Sequence, residues 1–177
     1  MATEALSPDA VLLSDNYSSL ALSVVQQDPD TSGTFGTWDG NGDTLASVSM
    51  PTPSGDPTVG VDLQENRARI QKDATGGNAV DWSLEVWEDI ASVPTQLAVL
   101  ATGTTTSLTG ETVSGTWNAS LLTDATGANV EVRMVQTAGG SGNPSLRRGL
   151  EVGGIEWNVE FSSGITGTIA ETQAAQT

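Results

Sequence analysis

The stretch "GIEWNVEF" (residues 154–161) decides the fold, because its side chains alternate strictly between apolar and polar. The apolar set is Ile155, Trp157, Val159 and Phe161, and the polar set is Glu156, Asn158 and Glu160. Successive side chains of a β-strand point to opposite faces of its sheet. The stretch therefore predicts a strand that buries one face in a core.

Two further segments, residues 82–87 and 130–135, show the same alternation. Their apolar positions run from Trp82 to Val86 and from Val130 to Met134, so we expect these two strands and 154–161 to form the centre of the core. Weaker strand signals, separated by Gly, Pro, Asn and Asp, lie at 45–50, 67–72, 95–103 and 111–118. The predicted fold class is all-β: an antiparallel β-sandwich of jelly-roll type with about seven or eight strands.

The length of the chain, 177 residues, is that of one domain. We predict an N-terminal arm or first strand at residues 1–20, a β-sandwich domain at 21–161 and a C-terminal tail at 162–177. The tail is rich in Gly and Thr and has no strong periodicity. No stretch approaches the ~20 consecutive apolar residues of a membrane span, so we expect no membrane partner.

The charge balance is strongly acidic, with 22 acidic residues against 6 basic ones and a net charge of -16. Binding to nucleic-acid phosphates is therefore unfavourable, and we expect no nucleic-acid partner. Only Lys72 is lysine; the other five basic residues are arginine. This pattern is typical of proteins adapted to molar salt, where the Debye length is only about 3 Å. A generic acidic extracellular protein is the alternative.

The absence of cysteine and histidine excludes several sites. No disulfide, thiolate metal site, Ser-His-Asp triad or Cys-His pair can form. Carboxylate pairs such as Glu85 with Glu88, or Glu156 with Glu160, could serve a glycoside hydrolase only if they faced each other across a cleft. Chance pairs are abundant among 22 acids, so we expect no enzymatic activity and no catalytic residue.

The segment "DPDTSGTFGTWDGNGD" (28–43) contains four candidate metal ligands: Asp28, Asp30, Asp39 and Asp43. An EF-hand starting at Asp39 would need Gly at its sixth position and Glu at its twelfth, but Thr44 and Met50 stand there. A different cation site stays open, and a divalent cation is the one cofactor that the sequence allows. Turn chemistry, in which aspartates accept hydrogen bonds from nearby amides, is the favoured interpretation.

Five tryptophans could provide stacking surfaces like those of a carbohydrate-binding module. Trp82 and Trp157 fall on predicted core faces. Trp87 falls on the opposite face of its strand and Trp38 in a loop, so we predict these two as contact-surface residues.

Several segments together resemble a β-sandwich family of structural proteins in the virions of tailed viruses, mostly of marine phages. The resemblance rests on "PDAVLLSDN" (8–16), "QQDPDTSGTFGTW" (26–38), "VSMPTPSGDPTVGVDLQENRARIQK" (48–72), "TWNASLLTDATGANVEVRM" (116–134) and "VGGIEWNVEF" (152–161). It implies that "LQENRARIQK" is an arginine-bearing strand and that "GANVEVRM" is its partner strand. The high acidity and the scarcity of lysine depart from the family pattern and suggest a halophilic archaeal host.

The resemblance implies a non-enzymatic virion component, most simply a capsid decoration, turret or fibre-base subunit. The expected partners are the major capsid protein, or a neighbouring turret or tail subunit, and further copies of the chain. Such a protein would be assembled in the host cytoplasm and reside in the virion. The alternatives are a tail or receptor-binding component and a carbohydrate-binding module.

Overall fold

Two antiparallel sheets face each other in a computed structural model that describes residues 2–57, 63–139 and 143–161. The strands are β1 (Ala2–Leu6), β2 (Ala10–Asp15), β3 (Tyr17–Ser19), β4 (Thr37–Trp38), β5 (Leu45–Ser49), β6 (Leu63–Lys72), β7 (Val80–Ile90), β8 (Val93–Thr105), β9 (Glu111–Asn118), β10 (Val130–Ala138) and β11 (Leu150–Phe161). One short helix, α1 (Leu22–Val25), follows β3, and 3₁₀ turns lie at Ala119–Leu121 and Pro144–Leu146.

The strand order is that of a jelly roll. The four-stranded sheet has the order β1-β11-β6-β9, and the five-stranded sheet has the order β2-β5-β10-β7-β8. Without β2, the order matches the two interleaved four-stranded sheets of a jelly roll. The predicted all-β jelly-roll sandwich is confirmed, although the described part of the two sheets holds nine strands, more than predicted. A separate small sheet pairs β3 with β4.

The three strands predicted for the core are interior strands of their sheets: β7, β10 and β11. One expectation from the family resemblance is wrong, because β6 and β10 lie in different sheets and are not hydrogen-bonded partners. β6 pairs instead with β11 and β9, and β10 pairs with β5 and β7.

The predicted N-terminal segment contributes to both sheets. β1 pairs with β11, and β2 extends the five-stranded sheet beyond β5. Leu6 joins the core, while Leu12 and Leu13 of β2 are exposed. The predicted C-terminal tail, residues 162–177, lies outside the described residues.

Tryptophans fill the space between the sheets. Trp157 is fully buried, and its ring centroid lies 5.9 Å from that of Trp117. The Trp117 indole Nε1 donates a hydrogen bond to Asn66 Oδ1 at 2.6 Å. Trp82 packs over Gly103 of β8, where an added Cβ would lie only 2.7 Å from the ring. The predicted core assignments of Trp82 and Trp157 are thus confirmed.

A β-bulge in β11 leaves room for the long connection between α1 and β4. The register of β11 against β6 shifts between Val152 and Ile155. An added Cβ on Gly154 would lie 2.0 Å from the carbonyl oxygen of Gln27, so only glycine allows the connection to cross here. The bulge and the acidic connection form one structural unit.

Candidate ligand-binding face

The four candidate metal ligands divide into two separate turns. Asp28 Oδ1 accepts a hydrogen bond from the Asp30 amide at 2.8 Å, and Asp39 Oδ1 accepts one from the Asn41 amide at 2.7 Å. Both are the turn contacts that the favoured interpretation of the sequence expects. Asp43 Oδ1 accepts a hydrogen bond from the buried amide group of Gln136 at 3.1 Å.

Asp30 has a cationic partner in place of a metal. Its carboxylate forms an ion pair with Arg67 of β6, and Arg67 Nη1 also lies 3.5 Å from Glu156 Oε1. The hydrogen bond from Arg67 lowers the pKa of the exposed Asp30 carboxyl. In the described ranges, no three acidic side chains are grouped to hold a metal ion, so the structure does not bring the four aspartates together as a site.

Trp38, the first predicted contact residue, is half-buried against the backbone of Gly149. Its indole Nε1 donates to the carbonyl oxygens of Asn41 and Gly42 at 3.3 Å each. Glu151, on the neighbouring β11, accepts hydrogen bonds from the Trp38 amide and from Gln71. Burial raises the pKa of the Glu151 carboxyl, and the two hydrogen bonds offset part of that shift. Trp38 therefore anchors the acidic connection.

Trp87, the second predicted contact residue, lies on the outer side of the five-stranded sheet. We call this surface the outer face; its central polar residues are Ser47, Ser83, Glu85, Trp87, Asp89, Glu131 and Arg133. The face is set by the alternation of β7 and β10, whose other side chains, including Leu84 and Val132, point into the core. The register places Trp87 opposite Glu131 and Glu85 opposite Arg133.

The two glutamates at the centre of the outer face, Glu85 and Glu131, are held by neutral or cationic donors. Glu85 accepts hydrogen bonds from Ser83 Oγ at 2.7 Å and from Trp87 Nε1 at 2.8 Å. Glu131 Oε2 accepts from Arg133 Nε and Nη2 at 3.1 and 2.9 Å. Ser47 Oγ donates to the same oxygen at 3.0 Å. These bonds fix the rotamers of the charged side chains.

The Arg133 guanidinium stacks on the Trp87 indole, with its carbon 3.9 Å from the ring centroid. Arg133 is held at the same time by Glu131, so the indole has a fixed position and one cationic neighbour. Such a contact contributes about 0.5–1 kcal/mol at a partly exposed site. Trp87 is consequently a rigid aromatic group on a polar sheet surface.

A small cavity of about 180 Å³ adjoins this cluster. Its lining residues are Leu12, Ser49, Asp89, Ala128, Asn129, Val130 and Glu131. Asp89 Oδ1 is buried and has no hydrogen-bond partner among the described residues. A buried acceptor without a donor costs about 1–3 kcal/mol, more if it is charged. Asp89 therefore contributes to the wall of the cavity, while its Oδ1 is covered by neighbouring protein atoms.

Glu88 holds in place the connection that forms one wall of the cavity. This residue lies on the core side of β7, and its carboxylate accepts hydrogen bonds from the amides of Thr123 and Asp124 at 2.8 to 3.1 Å. The connection that carries Asn129 is thereby tied to β7. Glu85 and Glu88 point to opposite sides of the sheet, so they do not form an acid-base pair across a cleft.

A larger cavity, about 530 Å³, lies on the outer side of the four-stranded sheet. It is lined by Thr3, Glu65, Thr116, Asn158, Val159 and Glu160, with no aromatic side chain among them. Asn158 Nδ2 donates to Glu65 Oε2 at 3.3 Å. Glu156, of the second predicted carboxylate pair, is held by Arg67 on the same side. The smaller cavity also has no aromatic lining residue, but it adjoins Trp87 through Glu131, which pairs with Trp87 across the two strands.

Sequence reasoning placed Trp87 on the polar side of its strand but did not single out Asp89, Glu131 or Arg133. The alternation of residues 130–135 already placed Glu131 and Arg133 on one side of a strand. What the sequence did not reveal was the pairing of that strand with the one that carries Trp87. That pairing is a long-range property of the fold.

Comparisons with known proteins leave the family open. No protein-family model matches the sequence, and no curated protein is significantly similar to it. One solved structure with a similar fold is the CBM22-1 xylan-binding domain from Paenibacillus barcinonensis Xyn10C, with 10% identity and a TM-score of 0.41. The match covers 88% of this chain and 98% of that domain. A likeness of this degree defines neither the family nor the ligand of this chain.

Within the described ranges, no helix is long and apolar enough to cross a bilayer.

Proposed function

We propose that this protein is a non-catalytic binding domain whose outer face takes a neutral saccharide. The observation that carries the proposal is the cavity lined by Asp89 and Glu131, which adjoins the fixed Trp87 indole through Glu131. A sugar ring presents hydroxyl donors at its rim and C–H groups on its faces. It can therefore satisfy an acceptor and contact an aromatic side chain at the same time.

The negative net charge of the protein disfavours anionic ligands. A net charge of -16 disfavours sulfated or uronate-rich saccharides at low salt, since the carboxylates of the surface repel them. Within the outer face, Arg133 is already paired with Glu131 and is not free for an anionic ligand. Neutral saccharides avoid both costs.

Binding without catalysis fits the way the carboxylates are held. Hydrolysis of a glycoside needs two carboxylates on either side of the bond, one of them protonated. Glu85 and Glu131 each accept hydrogen bonds from neighbouring side chains that orient them within the sheet surface. We therefore assign them a positioning role for Trp87 and Arg133.

The test compares Asp89→Ala with Asp81→Ala. Both aspartates lie on β7, and Asp81 accepts a hydrogen bond from Thr104, away from the cavity. The full chain is screened against neutral oligosaccharides in molar salt, and the best ligand is measured by calorimetry with both variants and with Trp87→Ala. We expect Asp89→Ala and Trp87→Ala to weaken binding at least about tenfold, and Asp81→Ala to leave it unchanged. Absence of binding by the folded wild type, or equal loss in both aspartate variants, would refute the assignment.

A second candidate function is a structural subunit of a tailed-virus virion, in the capsid decoration, turret, fibre base or tail. It is favoured by the five sequence segments that resemble that family and by the acidic, lysine-poor composition expected for a halophilic host. The two functions are compatible, since a receptor-binding virion component would recognise surface glycans. Mass spectrometry of purified particles from a culture carrying the gene tests this role. Recovery of the chain with the capsid proteins is expected, and its absence from intact particles would contradict it.

A further inference from the structure

Asn41 is the only asparagine of the chain that is followed by glycine. It lies in the connection between β4 and β5, and we call residues 39–43 of this connection the 39–43 turn. An asparagine loses its side-chain amide spontaneously when the backbone nitrogen of the next residue attacks it. Glycine hinders this attack least, because it has no Cβ. The sequence therefore places the pair most prone to this reaction in the turn that follows Trp38.

The structure leaves the side chain of Asn41 free to react. Six of the eight asparagines form a side-chain hydrogen bond: Asn16, Asn66, Asn118, Asn129, Asn143 and Asn158. Among the described residues, the side chains of Asn41 and Asn78 form none, and both asparagines are exposed. The residue after Asn78 is Ala79, whose Cβ hinders the backbone nitrogen. Asn41 alone combines an unbonded side-chain amide with a following glycine.

The shape of the turn requires glycine at position 42. Gly42 has a φ of 58°, in the left-handed region that side chains disfavour. An added Cβ would also lie 2.9 Å from Asn16 Nδ2, which donates a hydrogen bond to the Asp43 carbonyl oxygen at 2.6 Å. In the described part of the chain, the Gly42 amide donates no hydrogen bond, so its nitrogen has none to break. The fold therefore keeps an unhindered nucleophile next to Asn41.

We propose that Asn41 is a site of spontaneous deamidation, and that its conversion loosens the contact of the 39–43 turn with Trp38. The Gly42 nitrogen loses its proton and bonds to Cγ of Asn41, the Cγ–Nδ2 bond breaks, and ammonia leaves. Water then opens the resulting succinimide at one of its two carbonyls. Opening at Cγ gives aspartate, and opening at the backbone carbonyl gives isoaspartate. Water is the only co-reactant, and no group is oxidised or reduced.

The Trp38 indole contacts the atoms that this reaction moves. Its Nε1 donates to the carbonyl oxygens of Asn41 and Gly42 at 3.3 Å each, which is long for such a bond. Isoaspartate lengthens the backbone at position 41 by one carbon and moves the carbonyl that precedes Gly42, so the two acceptors cannot both keep their places. Either product also adds a negative charge to a chain whose net charge is already -16. The turn should therefore hold the indole less firmly after conversion.

The first experiment incubates the folded full chain in a mildly alkaline buffer with molar salt and follows each asparagine by peptide mapping with mass spectrometry. Asn78 is the internal control, because it is also exposed and unbonded. We expect Asn41 to convert at least about tenfold faster than Asn78, because glycine leaves the attacking nitrogen unhindered. Asn41→Gln should suppress the fast conversion, since the longer side chain closes a ring much more slowly. Similar rates at Asn41 and Asn78, or a fast conversion that persists in Asn41→Gln, would overturn the assignment.

The second experiment separates the converted protein by anion exchange and records the indole N–H resonances of the isotope-labelled chain. The Trp38 resonance is expected to shift in the isoaspartate form, whereas that of Trp87, which bonds Glu85, should not. Asn41→Asp adds the charge without lengthening the backbone, so it should shift the Trp38 resonance less. An unchanged Trp38 resonance in the isoaspartate form, or an equally large shift in Asn41→Asp, would contradict the loosening by the longer backbone.

This inference does not depend on saccharide binding, because no residue of the 39–43 turn lines the cavity beside the outer face. Its failure would leave the proposed function unaffected.

Discussion

The core between the two sheets and the outer face of the five-stranded sheet can be distinguished by two tryptophan substitutions, one in each place. Trp157 is fully buried, lies 5.9 Å from the Trp117 ring and contacts Gly127, where even an added Cβ would lie 3.0 Å from the indole. Trp157→Ala removes a whole buried aromatic side chain and leaves a cavity that these neighbours cannot fill. We expect a loss of about 3–5 kcal/mol in the free energy of unfolding.

Trp87→Ala should lower the free energy of unfolding much less, because Trp87 is only partly buried. It deletes the hydrogen bond to Glu85, worth about 1 kcal/mol net, and the contact with Arg133, worth about 0.5–1 kcal/mol. We therefore expect a loss of about 1–2 kcal/mol. Urea unfolding in molar salt, followed by far-UV circular dichroism, gives both values without relying on tryptophan fluorescence. Equal losses for the two variants would refute the assignment of faces.

Trp157→Phe refines the comparison. The indole Nε1 of Trp157 is buried and has no hydrogen-bond partner among the described residues. Phenylalanine keeps an aromatic ring and removes that unpaired donor, whose burial costs about 1–3 kcal/mol. The loss should therefore be clearly smaller than that of Trp157→Ala.

Three more outcomes follow from the same structure. Replacing Ala91 and Ser92 by Asn and Gly should raise the free energy of unfolding by about 1–2 kcal/mol, because both positions are left-handed; an unchanged urea midpoint would contradict this. Transfer from molar to about 0.1 M salt should lower the melting temperature, because the repulsion among carboxylates is then less screened; an unchanged value would exclude the halophilic interpretation. Burial raises the folded-state pKa of Glu151, so the stabilisation from its protonated form is present at acid pH and is lost as pH rises through that pKa. Glu151→Gln should consequently gain stability relative to the wild type at neutral pH and little at acid pH, and a gain of equal size at both would contradict the raised pKa.

Much of the sandwich could be predicted from alternation alone. The strands with strict alternation, at 82–87, 130–135 and 154–161, are interior strands with the expected faces buried. β6 was recognised only in part, because its core-facing residues include the polar Gln64 and Asn66. Gln64 forms hydrogen bonds with the backbone of Glu160, and Asn66 Oδ1 accepts one from Trp117, so the partners lie far away in the sequence; Asn66 Nδ2 has no partner among the described residues.

Other features were predicted only weakly or were missed for similar reasons. β8 gave only a weak strand signal at 95–103, because register shifts opposite residues 84–87 interrupt the two-residue period of its side chains. Gln136 is buried because its side chain bonds Thr44, Leu150 and Arg148, three segments that meet only in the folded chain. The outer face likewise depends on strand pairing, so the alternation placed Trp87 on the polar side of its strand without its neighbours on the next strand.

The most direct test of the proposed function is an NMR titration of the isotope-labelled chain with neutral oligosaccharides in molar salt. Binding at the outer face predicts saturable shifts of the Trp87 indole N–H and of the amides of Asp89 and Glu131, with those of Glu65 and Asn158 unchanged. Saturable shifts confined to Glu65 and Asn158, or no saturable shift with any neutral saccharide, would contradict it.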